Sequence, residues 1–290
     1  MSKTKDLSIS VHFDSHETDA VQLEVDLCGE PVLFGLWKFS LRRYGKPLRV
    51  VDYWTETCAY HKKGCEYLEL DVPLSDNYRL QRFFLLDNTD RLLILGDTLL
   101  WDGDNNSNKI NKRRLPEHHD HLTYESTLFY SPKLRPKTFA DSTEIFFQPN
   151  KPKSPSIFRV FPLALPEWKK TDKTGMVTGE LKIEDSTLVL RQQSSGISMF
   201  APLFFDFDAD RAGSQYTWRH LTVGENMNKV PEDRAVGYRV QIHKEQFLLY
   251  RSMTPLANRT VLGHNLINDF CFARFVPETG VETLVVVNSE

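Results

Sequence analysis

The chain opens on a two-residue alternation. Leu7, Ile9, Val11 and Phe13 share one side, and Val21, Leu23, Val25 and Leu27 repeat the pattern after the turn-forming stretch 14–19. Period-two alternation marks a strand with one buried face, so a hairpin is expected. A second wave of short strands, Glu66 to Val72, Arg79 to Leu86 and Arg91 to Trp101, is separated by Asp76-Asn77 and by Asp87-Asn88-Thr89-Asp90, and reads as an antiparallel meander. From Asp102 to His121 the residues turn polar, and an exposed loop is expected. Strands follow at His121 to Tyr130 and Thr143 to Phe147, before a breaker at 149–156 that contains Pro149, Pro152 and Pro155.

Beyond the breaker the β pattern resumes at Phe158 to Leu163, Gly179 to Ile183, Ser186 to Arg191, Ser198 to Phe207 and Tyr216 to Val223. It continues at Gly237 to Ile242, Gln246 to Arg251, Asp269 to Phe275 and Val281 to Val287, with Asn226 to Arg234 as a loop or short turn. No long window carries a 3.6-residue period, so helix content should be low. The expected fold is all-β, a large antiparallel β-sandwich with two strand-rich halves, 1–148 and 157–290. The Pro-rich crossover at 149–156 either divides two domains or joins one continuous domain. An internal echo links the halves: Tyr78-Arg79-Leu80-Gln81 and Tyr238-Arg239-Val240-Gln241 each lead through a polar turn into an apolar strand. Tight hairpins recur in any all-β chain, so duplication is one reading of two.

Composition narrows the function classes. The chain has 290 residues, enough for a full core without disulfide or metal staples, and a formal net charge of -3 that lacks the basic excess of nucleic-acid binders. No apolar stretch follows Lys3 and Lys5, and none approaches the length of a spanning helix, so neither an export signal nor a membrane partner is expected and the location read from the sequence is cytoplasmic. Cys28, Cys58, Cys65 and Cys271 form no CxxC pair and read as buried thiols. Dinucleotide, P-loop and nucleophile-elbow motifs are absent, and no cofactor is expected. His118-His119-Asp120-His121 has ligand chemistry but no partner at motif spacing, and reads as a surface cluster with adventitious metal affinity.

One segment carries a resemblance. Arg79 and Arg82, followed by Arg91-Leu92-Leu93-Ile94-Leu95-Gly96-Asp97, form a basic strand turning into an aliphatic strand that ends in Asp. The segment 66–103 resembles a hairpin in the C-terminal β-sandwich of heparinase II/III-like polysaccharide lyases. The resemblance implies a sandwich and a polysaccharide context. In that family a helical toroid precedes the sandwich. No stretch here has the periodicity for such a domain, and no catalytic motif of the family has a counterpart.

The densest polar and aromatic constellation falls late: Trp218, Arg219, His220, Glu225, Tyr250, Arg251, Asn258, Arg259, His264 and Asn265. Arginine forks grip carboxylate or sulfate, and aromatic rings offer a face to a sugar. Together they suit an acidic saccharide, or else a protein partner. The competing structural reading pairs these arginines with Glu225, Asp206, Asp208, Asp210 and Asp269 and places Trp218 in the core. Glu225 with Asp206 or Asp208, and His220 or His264 as a base, would supply a carbohydrate-active enzyme if they converged.

Overall fold

The computed structural model describes residues 7–13, 20–62, 64–103, 121–151, 157–170, 175–276 and 280–288. The polar loop expected after Trp101, and His118, His119 and Asp120 within it, lie outside the described residues. In chain order the strands begin with β1 (Leu7–His12), β2 (Ala20–Leu27), β3 (Glu30–Arg43), β4 (Lys46–Pro47), β5 (Thr55–Lys62), β6 (Cys65–Leu74), β7 (Tyr78–Asp87) and β8 (Leu92–Trp101). Next come β9 (Leu122–Tyr130), β10 (Leu134–Thr138), β11 (Ile145–Pro149), β12 (Phe158–Pro162), β13 (Val177–Glu184), β14 (Thr187–Ser194), β15 (Met199–Asp206) and β16 (Tyr216–Leu221). The chain closes with β17 (Val223–Glu225), β18 (Asn228–Lys229), β19 (Ala235–Ile242), β20 (Glu245–Ser252), β21 (Arg259–Val261), β22 (His264–Leu266), β23 (Phe270–Val276) and β24 (Gly280–Val287). The helical elements among the described residues are two short 3-10 turns at Ser75–Asn77 and Ala209–Arg211.

Four antiparallel sheets stack face to face. The first runs β1-β2-β3-β9-β14-β13, with β4 at the end of β3, and the central one runs β10-β11-β12-β15-β8-β7-β6-β5. A third runs β16-β19-β20-β23-β24, and a small outer one runs β18-β17-β21-β22. Trp37, Leu41, Phe84, Leu95, Tyr124 and Phe205 fill the space between the first two sheets. The other face of the central sheet supplies Tyr67, Phe83, Ile94 and Phe204, which meet Trp218, Tyr238, Phe247 and Phe270 from the third. Val223, Leu248, Tyr250 and Val261 close the outermost layer.

Burial on both faces explains why β7, β8 and β15 carry consecutive apolar residues, Phe83–Leu86, Leu92–Leu95 and Leu203–Phe205: a strand covered on each side has no polar face to alternate. The expected hairpin β1–β2 and meander β6–β7–β8 are present in register. Strand pairing also runs across the Pro-rich stretch, since β15 pairs with β8, β14 with β9 and β12 with β11. The echoing tetrapeptides fall in β7 of the central sheet and β19 of the third, two layers that face each other.

The structure adds strands that the alternation did not announce. The long β3 carries a register break between Phe34 and Lys38, where Gly35 takes a φ of 89°, and the break interrupts its period. Strand β5 is an edge, with most of its side chains exposed, so it lacks an apolar face to read. The expected strand from Tyr216 to Val223 divides instead: β16 ends at Leu221, and β17 starts a different sheet at Val223.

Candidate functional site

Period-two geometry sends neighbouring residues of one strand to opposite faces, and it separates the late-chain constellation. Trp218 is buried between the central and third sheets, where its Nε1 donates to the Leu165 carbonyl at 2.9 Å and its ring lies 5.0 Å from Phe161. Arg251, 2% exposed, points the same way and reaches the central sheet: Nη1 donates to Glu69 Oε2 at 2.8 Å, and Nη2 donates to Gln81 Oε1. Tyr67 Oη closes that cluster with a 2.6 Å bond to Glu69. Burial pushes the Glu69 carboxyl up, but the Arg251 charge and the bonds from Tyr67 and Arg251 outweigh it and hold the group below its ordinary value.

Tyr250, next in sequence to Arg251, faces the opposite way into the outermost layer. There the buried Arg259 gathers the polar groups: Nε donates to Glu225 Oε2 at 2.9 Å, Nη1 to Ser252 Oγ at 2.6 Å and to Tyr250 Oη at 3.3 Å, and Nη2 to Thr254 Oγ1 at 2.5 Å. Burial raises the Tyr250 phenol above its usual range. Arg219 bonds Glu167 at 2.7 Å, and His220 Nδ1 lies 3.3 Å from Glu232 Oε1. Asn258 and Asn265 are exposed, and Asn265 accepts from Thr260 Oγ1 at 3.2 Å. The half-buried His264 ring rests 6.2 Å from Phe275.

The ten residues therefore do not converge on one pocket. Trp218 and Arg251 belong to one interlayer core, and Tyr250 and Arg259 to the next. Paired carboxylates do not assemble either: Asp206 is held by Arg211 at 2.7 Å and Tyr216 at 2.9 Å, whereas Glu225 is held by Arg259.

Two of the ten, Glu225 and Arg259, do border a cleft of about 470 Å³ beside the β17–β18 hairpin. Its other polar walls come from Asn226, Asn228, Lys229 and Arg234, and its apolar walls from Ile197, Val230 and Pro255. Among the described residues no carboxylate pairs with the Arg234 guanidinium. A second hollow of about 410 Å³ adjoins across Lys229, Val230 and Pro231, and there Glu232 accepts from the Met176 amide at 2.9 Å. Burial raises the Glu232 carboxyl, but the hydrogen bond and charge of His220 and the Met176 amide bring it below its ordinary value. Lys229 and Arg234 were not among the sequence candidates. Lys229 ends β18 and Arg234 directly precedes β19, in a stretch that carries no motif, and only the folded cleft brings them together.

Among the described residues no group of three or more His, Cys, Asp or Glu side chains is placed to hold a metal, and no helix is long and apolar enough to cross a membrane.

No family model and no curated protein matches the chain. Among solved structures it is similar to a heparinase III gene product, with a TM-score of 0.52 at 8% identity over 86% of this chain and 39% of that one. Another match is a heparan sulfate lyase HepC from Pedobacter heparinus, with a TM-score of 0.46 at 11% identity, covering 80% of this chain and 36% of that one. The chain thus spans well under half the length of the structures it matches. At low identity the likeness is one of fold: the all-β stack of this chain is similar to part of heparinase III, in keeping with the resemblance read in the segment 66–103, which becomes β6, β7 and β8.

Proposed function

We propose that this chain is a non-catalytic binding protein that takes an acidic saccharide in the cleft bordered by Glu225, Lys229, Arg234 and Arg259. The observation that carries this reading is Arg234, which lines the cleft and whose guanidinium has no carboxylate partner among the described residues. An arginine fork left open at a concave surface suits a carboxylate or sulfate group. Lys229 adds a second cation, and the Asn226 and Asn228 side chains add amides for hydroxyl groups. Aromatic stacking has no part in the reading, because Trp218 and Tyr250 are buried in interlayer cores.

Calorimetric titration with uronate and sulfated oligosaccharides tests it. Arg234→Gln is expected to weaken binding about tenfold, the loss of one charge-assisted contact, with the far-ultraviolet spectrum unchanged. Wild-type protein that binds none of these saccharides, or Arg234→Gln protein that binds as tightly, would overturn the reading. Arg251→Ala is not a test of binding, because that side chain lies inside the molecule.

The fold likeness to heparinase III supports an alternative, a carbohydrate-active enzyme. Ultraviolet absorbance growing during incubation with uronate polysaccharides would establish a lyase, and release of reducing sugar a hydrolase. Silence in both assays would remove this alternative.

A further inference from the structure

Strands β16 and β19 place Arg219 directly opposite Arg239. Their neighbours Trp218, Tyr238 and Val240 enter the core against the central sheet, so both arginines stand on the outer face of the third sheet. Like charges directly opposite in an antiparallel pair repel, and their Cβ atoms are only about 4.5–5.5 Å apart. Among the described residues a single carboxylate answers the pair: Glu167 takes the 2.7 Å bond from Arg219 Nη1 and also accepts from Thr217 Oγ1 at 2.8 Å. Arg219 remains half exposed, and among the described residues no carboxylate pairs with Arg239. The next pair on the same face, Leu221 and Gly237, lies under the outermost sheet, where the Val261 side chain would meet a Cβ on Gly237 at 3.3 Å. The two arginines therefore stand on the sheet beside a step between layers, with Thr217 and Gln241 as the polar pair on their other side.

We propose that Arg219 and Arg239 clamp a tetrahedral oxyanion, a sulfate or phosphate group, at this step. An anion bridging the two planar forks answers the single positive charge that Glu167 leaves uncompensated, which is the role for which arginine surpasses lysine. The site is separate from the Arg234 cleft and does not depend on the saccharide reading. The shared chemistry is the tetrahedral anion, whether free or carried on a sugar.

The test uses the full chain labelled with nitrogen-15, titrated with sodium sulfate and sodium phosphate against sodium chloride at matched ionic strength. The Nε–H resonances of Arg219 and Arg239 are expected to shift and saturate with one midpoint. Arg239→Gln should raise the dissociation constant about tenfold, while its thermal midpoint in chloride does not fall below that of the wild type. Arg234→Gln, altered only in the cleft, should keep the response. A parallel titration with glucosamine 6-sulfate identifies the source: tighter binding than inorganic sulfate assigns the clamp to a sulfated sugar, and equal binding to the free anion. Shifts that never saturate, or that Arg239→Gln retains, would overturn the clamp.

Discussion

Single arginines do the most specific work in this fold. Arg82 is fully buried, and it donates to both carboxylate oxygens of Asp97 at 2.8 and 2.7 Å and to the Trp37 carbonyl at 2.6 Å; Tyr124 Oη adds a 2.7 Å bond to Asp97. The guanidinium also lies 3.9 Å from the centre of the Trp37 ring. Removing one member of such a pair strands a charge in the core. Arg82→Ala is therefore expected to cost about 3–5 kcal/mol in urea denaturation, whereas Arg82→Met with Asp97→Leu should recover most of that loss. Glu69 gives the pH counterpart. Its folded pKa lies below the unfolded value of about 4.3, so its contribution is present above that pH and is lost as the pH falls through the folded pKa. Glu69→Gln should weaken the fold at neutral pH by leaving Arg251 uncompensated. It should also flatten the acid limb of a stability profile measured by urea titration at successive pH values.

At the scale of strands, legibility in the sequence followed burial. Strands β1, β2 and β9, with one covered face, alternate and could be read directly. Strands β7, β8 and β15 were legible through their apolar segments, although such a segment alone cannot say that two layers cover it. Strand β3 was hidden by its bulge, β5 by its exposure, and β21 and β22 by their length of three residues each. The late-chain residues drew attention through proximity in sequence, yet alternation already opposes Tyr250 to Arg251. What no local pattern could reveal is that two further sheets make both faces interior. Glycine at position 96 shows the same constraint from within. A Cβ there would stand 2.3 Å from Phe83 Cε1, and Phe83 is locked by Phe200 at 5.7 Å and Phe270 at 5.0 Å. Gly96→Ala is expected to cost about 1–3 kcal/mol as an overpacked core, measured by thermal and urea unfolding. An unchanged midpoint would mean that Phe83 yields easily.

Across the described residues, each interface between layers is crossed by at least one buried arginine. Arg82 reaches from the central sheet to the Trp37 carbonyl of the first, Arg251 from the third to Glu69 of the central, and Arg259 from the outermost sheet to Ser252 of the third. Apolar sheet faces alone tolerate sliding, whereas a bidentate or multiply bonded guanidinium accepts one alignment. The layers are also interleaved along the chain. The first sheet combines β1, β2, β3 and β9 with β13 and β14, and the central sheet combines β5 to β8, β10 and β11 with β12 and β15. A break in the Pro-rich stretch 149–156 would leave the fragment 1–148 without β15 against β8 and without β14 against β9, exposing apolar edges in both large sheets. Fragment 157–290 would keep the third and outermost sheets but lose the layer that Phe247 and Phe270 cover. Expressed separately, neither fragment is expected to unfold cooperatively, and mixing or co-expressing them should restore a single transition by circular dichroism, because the missing strands complete existing sheets. If fragment 157–290 alone showed a sharp transition with protected amides in β19, β20 and β23, the two halves would be separable domains, and the interleaving of β12 to β15 would not be needed to fold the third sheet.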